Sequence, residues 1–393
     1  MSLPPAIELL PAAPWLFPFL TLPSLARRTP NLSDAPRASG LLVSVIIPAR
    51  NEAGTIATVV RSILQSTYQP FELLVVDDRS TDGTVAVVEG LTIDSRLRLV
   101  RGEELPDGWY GKPWACYQGY SQARGELLLF TDADTRHQPE LMERAVGALL
   151  TEQAALVTVS PTQRCITFWE RVIMPQIWFL LALRYNPARV NRARRARDVI
   201  ANGQFILTTR AAYEAAGTHE SVRQEVAEDL ALAQTYLQQG LKLHFAFAER
   251  LMETRMYQGL ASLIEGWSKN IYLGGRRSFP DDPIPRALVP VMLVVAMLYW
   301  LIPPVLLMLA ALEPSLAHLL APATLASALS ALFWMLICYG MEIPPLYGLG
   351  YPLGALMALY ISLRSTWRGS RRVEWRGRVY GNSVSGNSEL RER

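Results

Sequence analysis

Two aspartates one residue apart follow an apolar run in the stretch LLLFTDADT. On an extended chain Asp132 and Asp134 would point to the same side, because alternate residues of a strand share a face. Two carboxylates that face the same way repel each other unless a cation lies between them, and Mg²⁺ and Mn²⁺ prefer oxygen ligands. The pair therefore suggests a divalent-metal site with Asp134 as its first ligand. The alternative is a polar turn at the end of a strand.

A second acidic pair, Glu228 and Asp229, precedes the amphipathic run LALAQTYLQQG. Adjacent acids at the start of a helix are also favoured by the helix dipole alone, so the pair by itself does not identify a site. A carboxylate in such a position can act as a general base, which removes the proton from an attacking hydroxyl group. The pair is therefore a candidate for acid–base chemistry.

Polar residues also follow two earlier apolar runs. Arg50, Asn51 and Glu52 follow LLVSVIIPA, and Asp77 and Asp78 end FELLVVDD. The two aspartates are hydrogen-bond acceptors that could hold ribose hydroxyls or the N–H of a base. The alternatives are a turn that caps the next helix, and for Glu52 an ordinary acid in the first turn of a helix.

The elements that position these residues alternate between strand and helix patterns over residues 41–265. Strands that alternate with helices predict a mainly parallel sheet covered on both faces, an α/β fold of Rossmann-like type. Ligands of such sheets bind at the carboxyl ends of the strands, where the polar residues described above would meet.

Apolar segments outside this domain predict a membrane protein. Residues 287–364 contain three apolar stretches in a row, which predict an α-helical transmembrane domain. An apolar stretch of about residues 166–185 is too short to span and predicts an interfacial helix. Residues 1–40, interrupted by prolines, are expected to be a membrane-associated segment and a linker, and residues 266–286 a connecting amphipathic segment.

The charge distribution predicts a membrane surface as a partner and no nucleic acid, because the formal net charge is only +3. Arginines cluster near residues 184–197 and in a basic tail, residues 365–393, both beside apolar segments. Such clusters predict contacts with anionic lipid headgroups, with solvated helix faces as the alternative. Three widely spaced cysteines predict neither a disulfide framework nor a zinc site, and fit a reducing compartment.

Four stretches in order carry a resemblance to a known family: VSVIIPARNE, LLVVDDRSTDGT, GKPWACYQGYSQARGELLLFTDADT and VAEDLALAQTYLQQG. They resemble the motifs of family 2 glycosyltransferases, which implies the nucleotide-sugar-binding GT-A fold. The stretches GWYGKPWA, NGQFIL and WRGRVY also resemble a membrane-bound subgroup that includes hopanoid-associated and carotenoid glycosyltransferases.

The resemblance implies a set of site residues. Asp229 would be the general base, with Glu228 beside it, and Asp134 and Asp132 would hold Mg²⁺ or Mn²⁺. His137 and His219 are hypotheses for a third metal ligand. Contacts with the nucleotide sugar are expected from Pro48, Arg50, Asn51, Glu52, Asp77, Asp78, Lys112, Asp132 and Gly203.

One motif of the family's processive members is missing. Where they carry Gln-x-x-Arg-Trp, this chain reads LIEGWSKNIYLGG, which favours addition of a single sugar over polymer synthesis. Trp267, Trp178 and Trp375 are candidate aromatic platforms for the acceptor.

These observations predict a metal-dependent, inverting glycosyltransferase of the inner membrane, multi-pass, with its catalytic domain on the cytoplasmic side. The expected donor is a UDP-hexose such as UDP-glucose, and the expected acceptor is a lipid: a carotenoid, a hopanoid or a polyprenyl phosphate. The alternatives are a processive polysaccharide synthase of the same fold and a non-catalytic nucleotide-binding membrane scaffold. A dinucleotide oxidoreductase is disfavoured because no G-x-G-x-x-G follows the first strand.

Arginines on both sides of the apolar region bear on its topology. Arg276, Arg277 and Arg286 precede the first apolar stretch, and many more follow the last one. Because positive residues favour the cytoplasmic side, both ends are expected there and the number of crossings is expected to be even. The last stretch, residues 345–363, is rich in Gly and Pro and is expected not to cross fully.

Overall fold

An eight-stranded mixed sheet organises the amino-terminal domain. The computed structural model describes residues 8–23, 30–369, 373–375 and 378–380. Along the sheet the strand order is β3-β2-β1-β4-β7-β6-β8-β5. The strands are β1 Val43–Ala49, β2 Phe71–Asp77, β3 Leu97–Arg101, β4 Leu127–Thr131, β5 Thr135–His137, β6 Leu156–Gln163, β7 Phe205–Thr209 and β8 Leu243–Thr254.

The sheet is parallel in its first half and mixed in its second. Strands β3, β2, β1 and β4 run parallel, as the alternating pattern predicts. Strand β7 then runs antiparallel to both β4 and β6, and β8 pairs parallel with β6 and antiparallel with β5. The predicted α/β domain is confirmed. The reversal at β7 brings the residues before Phe205 to the same edge as the carboxyl end of β4.

Helices cover both faces of the sheet, which explains why β1 is apolar throughout. Val45 and Ile47 of β1 belong to one buried cluster, and Ile46 between them belongs to a second cluster on the opposite face. A strand buried on both faces needs apolar residues at every position. The helices of this domain are α1 Ile56–Leu64, α2 Thr84–Glu89, α3 Gly111–Gln122, α4 Leu141–Thr151, α5 Phe168–Arg184, α6 Pro187–Val190, α7 Arg210–Ala215 and α8 Glu228–Gln238.

The carboxy-terminal region is helical and apolar. It contains α9 Leu260–Arg277, α10 Pro283–Leu312, α11 Leu320–Gly340 and α12 Tyr351–Arg368. Three helical segments of the described chain, Pro283–Leu312, Pro314–Gly340 and Pro345–Arg368, are long and apolar enough to cross a membrane. The third contains α12, a continuous helix of 18 residues, preceded by a 3-10 helix at Pro345–Gly350. How many of the three segments cross stays a prediction.

Helix α5 connects the sheet domain to the apolar helices. The predicted interfacial helix is present at Phe168–Arg184, but α9, α11 and α12 cover much of its apolar surface, so it lies within the protein. The backbones approach closely at Gly354, where a Cβ atom would lie 2.3 Å from the carbonyl oxygen of Val172. The capping box of Thr167 and Glu170 defines the start of the helix.

An aromatic junction forms where α5 meets α10 and α11. We use this name for Phe179, Trp300, Phe333 and Trp334, which are all buried. The Phe179 ring lies 5.1 Å from Phe333 and 5.5 Å from Trp334, and Trp300 stacks on Phe333 at 5.1 Å. The attachment of α5 to the apolar helices α10 and α11 is therefore distributed over several ring contacts.

The amino-terminal end of the described chain packs against these two regions. A 3-10 helix at Leu10–Leu20 is too short to span a bilayer, and its Trp15 stacks on Tyr299 at 5.5 Å. The predicted linker is partly a packed segment, since Leu32 is buried and the Phe247 N–H donates to the Pro30 carbonyl oxygen. Val373–Trp375 and Arg378–Tyr380 form a two-stranded hairpin, and the rest of the predicted basic tail beyond Gly369 lies outside the described residues.

Candidate active site

Lys112 lies between acids from two distant parts of the chain. It follows Gly111 at the start of α3, and its Nζ atom is 2.8 Å from Oδ1 of Asp132 and 2.7 Å from Oε1 of Glu228. Asp132 directly follows β4, and Glu228 begins α8. The fold therefore brings the loop after β4 and the start of α8 to a single ammonium group.

Asp229 is partly buried next to this ion-pair network and has two backbone partners. Its Oδ2 atom accepts a hydrogen bond of 2.8 Å from the Gly203 N–H, and its Oδ1 atom accepts one of 2.7 Å from the Leu230 N–H. Burial and the neighbouring Glu228 carboxylate raise the pKa of Asp229 to about 6, against the opposing charge of Lys112. A carboxylate with a pKa in this range is a stronger base than an exposed aspartate and is still ionised at neutral pH.

The other two groups of the network remain charged. Burial alone would lower the pKa of Lys112, but Asp132, Glu228 and Asp229 outweigh burial and raise it well above its ordinary value. Burial favours the neutral acid at Glu228, but the Lys112 ammonium outweighs this effect and lowers the pKa of that carboxyl group. The site thus places an ammonium beside carboxylates, and within the adjacent pair Glu228 and Asp229 the pKa of Asp229 is raised and that of Glu228 is lowered.

Gly203 leaves the space that this network needs. A Cβ atom at this position would lie 2.8 Å from the Lys112 Nζ atom and 3.3 Å from Oδ2 of Asp229. The next residue, Gln204, is buried, and its carbonyl oxygen accepts a hydrogen bond of 2.8 Å from the Thr131 hydroxyl group at the end of β4. The NGQ stretch is therefore held against the carboxyl end of β4, with its glycine facing the charges.

A small pocket of about 10 Å³, room for about one water molecule, lies between these groups. Four of its lining residues escaped the sequence reasoning: Cys116, Phe130, Thr131 and Ile206. The sequence could have indicated Cys116 as a pocket residue, because residues four apart on a helix share a face and Cys116 follows Lys112 by four residues on α3. The remaining lining residues are Pro48, Lys112, Asp132, Gly203, His219, Glu228 and Asp229.

The polar residues after β1 join two loops of the sheet edge. Arg50 donates from Nη1 to the carbonyl oxygens of Asp78, at 2.6 Å, and Arg79, at 3.0 Å. Asn51 has a positive φ of 55°, and its Oδ1 atom accepts a 2.8 Å hydrogen bond from the Thr81 N–H. Because these bonds run from one loop to the other, both residues shape the edge of the predicted nucleotide site.

The acids at the same edge are also bonded within the protein. Oε2 of Glu52 accepts a 2.7 Å hydrogen bond from the Thr55 hydroxyl group, and Glu52 lies four residues before α1, whose first turn contains no acid. Asp77 accepts 3.3 Å hydrogen bonds from the Ser80 N–H, and Asp78 is 0% exposed. As the structure stands, Asp78 offers no accessible surface to a nucleotide.

The geometric premise for the pair Asp132 and Asp134 is wrong. Strand β4 ends at Thr131, and a turn separates it from β5, so the two residues are not alternate members of a strand. Asp132 lines the pocket beside Lys112 and Asp134 does not. Burial first, and then the Asp134 charge, raise the pKa of the buried Tyr257 hydroxyl group. The two carboxylates thus act on different neighbours.

Neither histidine joins these aspartates as a ligand. Within the described ranges, no three His, Cys, Asp or Glu residues gather in a way that could hold a metal ion. Nε2 of His137 lies 3.0 Å from the Thr131 hydroxyl group, and burial lowers the pKa of His137 to about 3. Nδ1 of His219 lies 2.6 Å from the Tyr213 hydroxyl group, and burial lowers the pKa of His219 to about 4. Both rings are buried and neutral at physiological pH, and His219 forms part of the pocket wall.

Two of the predicted aromatic platforms, Trp267 and Trp178, are not open surfaces. Trp267 is only 7% exposed, and its indole N–H points to the sulfur of Met174 at 3.3 Å. Its ring packs at a right angle to the partly buried Trp178, with ring centroids 6.4 Å apart. The amphipathic helix α9 turns its apolar face to α5, which explains why Trp267 is covered. Trp375 lies in the carboxy-terminal hairpin, of which the structure describes only the backbone.

Comparison with known proteins gives a family match over part of the chain, a set of similar relatives and the fold. Residues 44–216 match the model of glycosyl transferase family 2. The 4,4'-diaponeurosporenoate glycosyltransferase of Staphylococcus aureus strain MRSA252 is 31% identical over 251 residues, which cover 61% of this chain and 63% of that protein. Its counterpart in strain USA300 is 30% identical over the same shares. The chain therefore spans less than two thirds of the length of these relatives.

A solved structure matches almost the whole chain. The mannosyltransferase of Pyrobaculum calidifontis, in complex with GDP-Man and Mn²⁺, aligns with a TM-score of 0.54 at 20% identity, over 92% of this chain and 98% of that one. This similarity shows the fold and confirms the predicted GT-A domain. The match to the glycosyl transferase family 2 model extends over residues 44–216, less than half of the chain.

Proposed function

We propose that the protein is a membrane-bound, metal-dependent, inverting glycosyltransferase that moves one sugar from a nucleoside diphosphate sugar, such as UDP-glucose, to a lipid. The observation that carries the proposal is the environment of Asp229. This acid is partly buried at the start of α8, accepts a hydrogen bond from the Gly203 N–H, and lines the same pocket as Lys112. A sugar transfer needs a base for the acceptor proton and positive charge for the leaving diphosphate.

Each group of the network has a role in this reaction. Asp229 accepts the proton of the attacking hydroxyl or carboxyl group. Glu228 positions Lys112, and the ammonium group supplies positive charge at the edge where β1, β2 and β4 end. Attack from the face opposite to the diphosphate inverts the configuration of the anomeric carbon.

The residues around Asp132 fit a hard divalent cation by their chemistry. Mg²⁺ and Mn²⁺ take oxygen ligands and are commonly held by one or two carboxylates together with substrate phosphates. Asp132 already has a cationic partner in Lys112, and Asp134 follows in the same turn. These two residues would hold the ion, which when bound would neutralise the negative charge of the diphosphate.

The proposal of a lipid acceptor rests on the attachment of α8 to the apolar helices and on the names of the relatives. Gln234 of α8 donates a 3.0 Å hydrogen bond to the carbonyl oxygen of Arg277 at the end of α9, and the Arg277 guanidinium lies 3.4 Å from Glu225. Helix α9 leads directly into α10. The relatives are named for 4,4'-diaponeurosporenoate, a carotenoid, and an apolar acceptor of this kind would reside in the membrane.

The experiment is a product analysis with purified full-length protein. The protein is incubated with UDP-glucose, other nucleotide sugars, a divalent cation and extracted membrane lipids or a carotenoid acid, and products are identified by mass spectrometry. We expect a lipid that has gained a single hexose, and no such product with Asp229→Asn. Polymers of sugar, or transfer only to water-soluble acceptors, would contradict the proposal.

A further inference from the structure

The segment after α5 carries five arginines, four of which are exposed and lie beside the apolar helices. Arg189, Arg192, Arg194 and Arg195 are exposed, and none of them forms an ion pair with another described residue. Arg197, the fifth, pairs with Asp282 at the beginning of α10. The segment is therefore strongly basic, and it touches the chain where the first apolar helix starts.

A pocket of about 420 Å³ opens at this place, a volume typical of ligand sites. Its lining includes Arg194, Arg195, Arg197, Asp281 and Asp282. Because Arg197 and Asp282 neutralise each other, the two exposed guanidinium groups outnumber the remaining carboxylate. Guanidinium groups bind phosphate oxygens through paired hydrogen bonds, so the chemistry of the pocket suits a phosphate ester.

Hydrogen bonds fix this pocket relative to the apolar helices. Arg184 donates from Nη2 to the carbonyl oxygens of Ser278, at 2.7 Å, and Arg197. The Tyr185 hydroxyl group donates to the Ser278 hydroxyl group at 2.6 Å. The basic segment thus cannot move independently of the connection between α9 and α10.

The surface next to the pocket is apolar. Ile284 and Leu288 in the first turns of α10 are 71% and 46% exposed, and Val291 and Val295 further along are also exposed. An exposed apolar helix beside exposed arginines matches the two parts of a phospholipid, with acyl chains along the helix and the phosphate at its end.

We propose that this pocket binds the phosphate headgroup of an anionic membrane lipid. The site is separate from the candidate active site. The pocket contacts Leu237 and Gln238 at the end of α8, whereas Asp229 is in its first turn, and at 1.5 Å per residue these ends are about 15 Å apart. The bound lipid is therefore a structural partner and not the acceptor, and it would hold the start of α10 at headgroup depth.

The test measures lipid binding to the purified full-length protein in detergent by native mass spectrometry. Phosphatidylglycerol is compared with phosphatidylcholine of the same acyl chains, in the wild type and in the double variant Arg194→Gln/Arg195→Gln. We expect the wild type to prefer phosphatidylglycerol, and this preference to fall by about 30-fold in the variant, as removal of two surface cations implies. The control is Arg61→Gln/Arg136→Gln, two exposed arginines of the sheet domain in no described ion pair, which should retain the preference.

Two further arms identify the source of the phosphate and check the variant independently. Inorganic phosphate and glycerol 3-phosphate should not displace the lipid at comparable concentrations, and efficient displacement would mean that the ligand is a free phosphate. Raising the salt concentration should weaken the preference in the wild type, since screening acts on exposed charges. Equal binding of both lipids, a preference that salt leaves unchanged, or an unchanged preference in the double variant would overturn the proposal.

Discussion

The candidate active site and the aromatic junction hold distant parts of the chain together in opposite ways. In the active site one ammonium group, that of Lys112, bridges Asp132 and Glu228. At the junction several rings share the contact between α5 and the apolar helices, each at 5 to 6.4 Å from its neighbours. A network centred on one charge fails when that charge is removed, whereas distributed packing loses a fraction of its contacts. Single substitutions should therefore affect the two regions on different scales.

The largest expected effect is that of Asp229→Asn. The amide has nearly the same shape but cannot accept the acceptor's proton, so the rate should fall by about 10³, within the range for general bases. Binding of the sugar donor should remain nearly intact, because the hydrogen-bond partners of the Asp229 side chain are the backbone N–H groups of Gly203 and Leu230. Steady-state kinetics and nucleotide-sugar binding are measured together. A collapse of donor affinity with an unchanged rate at saturation would make Asp229 a binding residue.

The variant Asp134→Ala tests the predicted metal-binding role of Asp132 and Asp134 independently of the base role of Asp229. If Asp134 is a metal ligand, transfer should fall by about 10² or more, because the ion's charge stabilisation amounts to several kcal/mol. Binding of Mn²⁺ in the presence of nucleotide, measured by calorimetry, should weaken in parallel. Normal turnover of this variant in Mg²⁺ or Mn²⁺ would refute the metal assignment. Glu140→Ala, a more exposed acid outside the pocket, is the matched control.

Lys112→Met tests the dependence on a single charge. Removal of the ammonium leaves the buried Glu228 without its partner beside the partly buried Asp229, and breaking a buried pair destabilises a protein by about 3–5 kcal/mol. We expect both a lower midpoint of thermal unfolding and a rate reduced by about 50-fold. The double variant Lys112→Met/Glu228→Gln should recover part of the stability and none of the rate. Equal stabilities of the single variant and the wild type would show that the bridge does not support the fold.

The pH dependence of the rate gives a smaller effect with a definite sign. Asp229 acts as a base only when ionised, and its pKa is raised to about 6. The rate should therefore increase about tenfold per pH unit below this value and level off above it. The residual activity of Asp229→Asn should lack this step. A rate that stays constant between pH 5 and pH 7 would exclude Asp229 as the titrating base.

The smallest effect is expected at the aromatic junction. Phe179→Leu removes ring contacts with Phe333 and Trp334, and an aromatic pair contributes about 0.5–1.5 kcal/mol beyond its buried area. The midpoint of thermal unfolding should fall slightly while the rate stays within about twofold. Phe168→Leu, at a half-exposed position of the same helix, should change neither quantity. A rate loss comparable to that of Lys112→Met would mean that the junction takes part in catalysis.

Local patterns were sufficient to predict the strands and the residues at their ends. The apolar run of β1 and the position of Pro48 at its end follow from side-chain type alone, as does the amphipathic start of α8. The bridge made by Lys112 could not be predicted in the same way, because 20 residues separate Lys112 from Asp132 and 116 separate it from Glu228. The contact depends on how the sheet orders its strands, and β7 reverses direction to bring Gly203 to that edge.

Two sequence predictions failed for a shared physical reason. The prediction that the Asp132 and Asp134 carboxylates point to the same side assumed that β4 continues to Asp134. Sequence periodicity does not identify the residue at which a strand ends and a turn begins. The argument for Trp267 as an exposed platform assumed an open face of α9. Which face of an amphipathic helix meets another helix and which meets the bilayer depends on tertiary packing, and here α5 covers it.

The bridge made by Lys112 also bears on how the protein matures. An acidic site that depends on a bound ion for charge balance is disordered or repulsive until the ion arrives. Here the polypeptide supplies one counter-ion of its own, so covalently attached charge already offsets part of the negative charge of the described site. We therefore expect the chain to fold and insert in the absence of divalent ions, and a chelator to leave its unfolding temperature unchanged. A divalent ion could then bind together with the nucleotide and dissociate with it in each turnover.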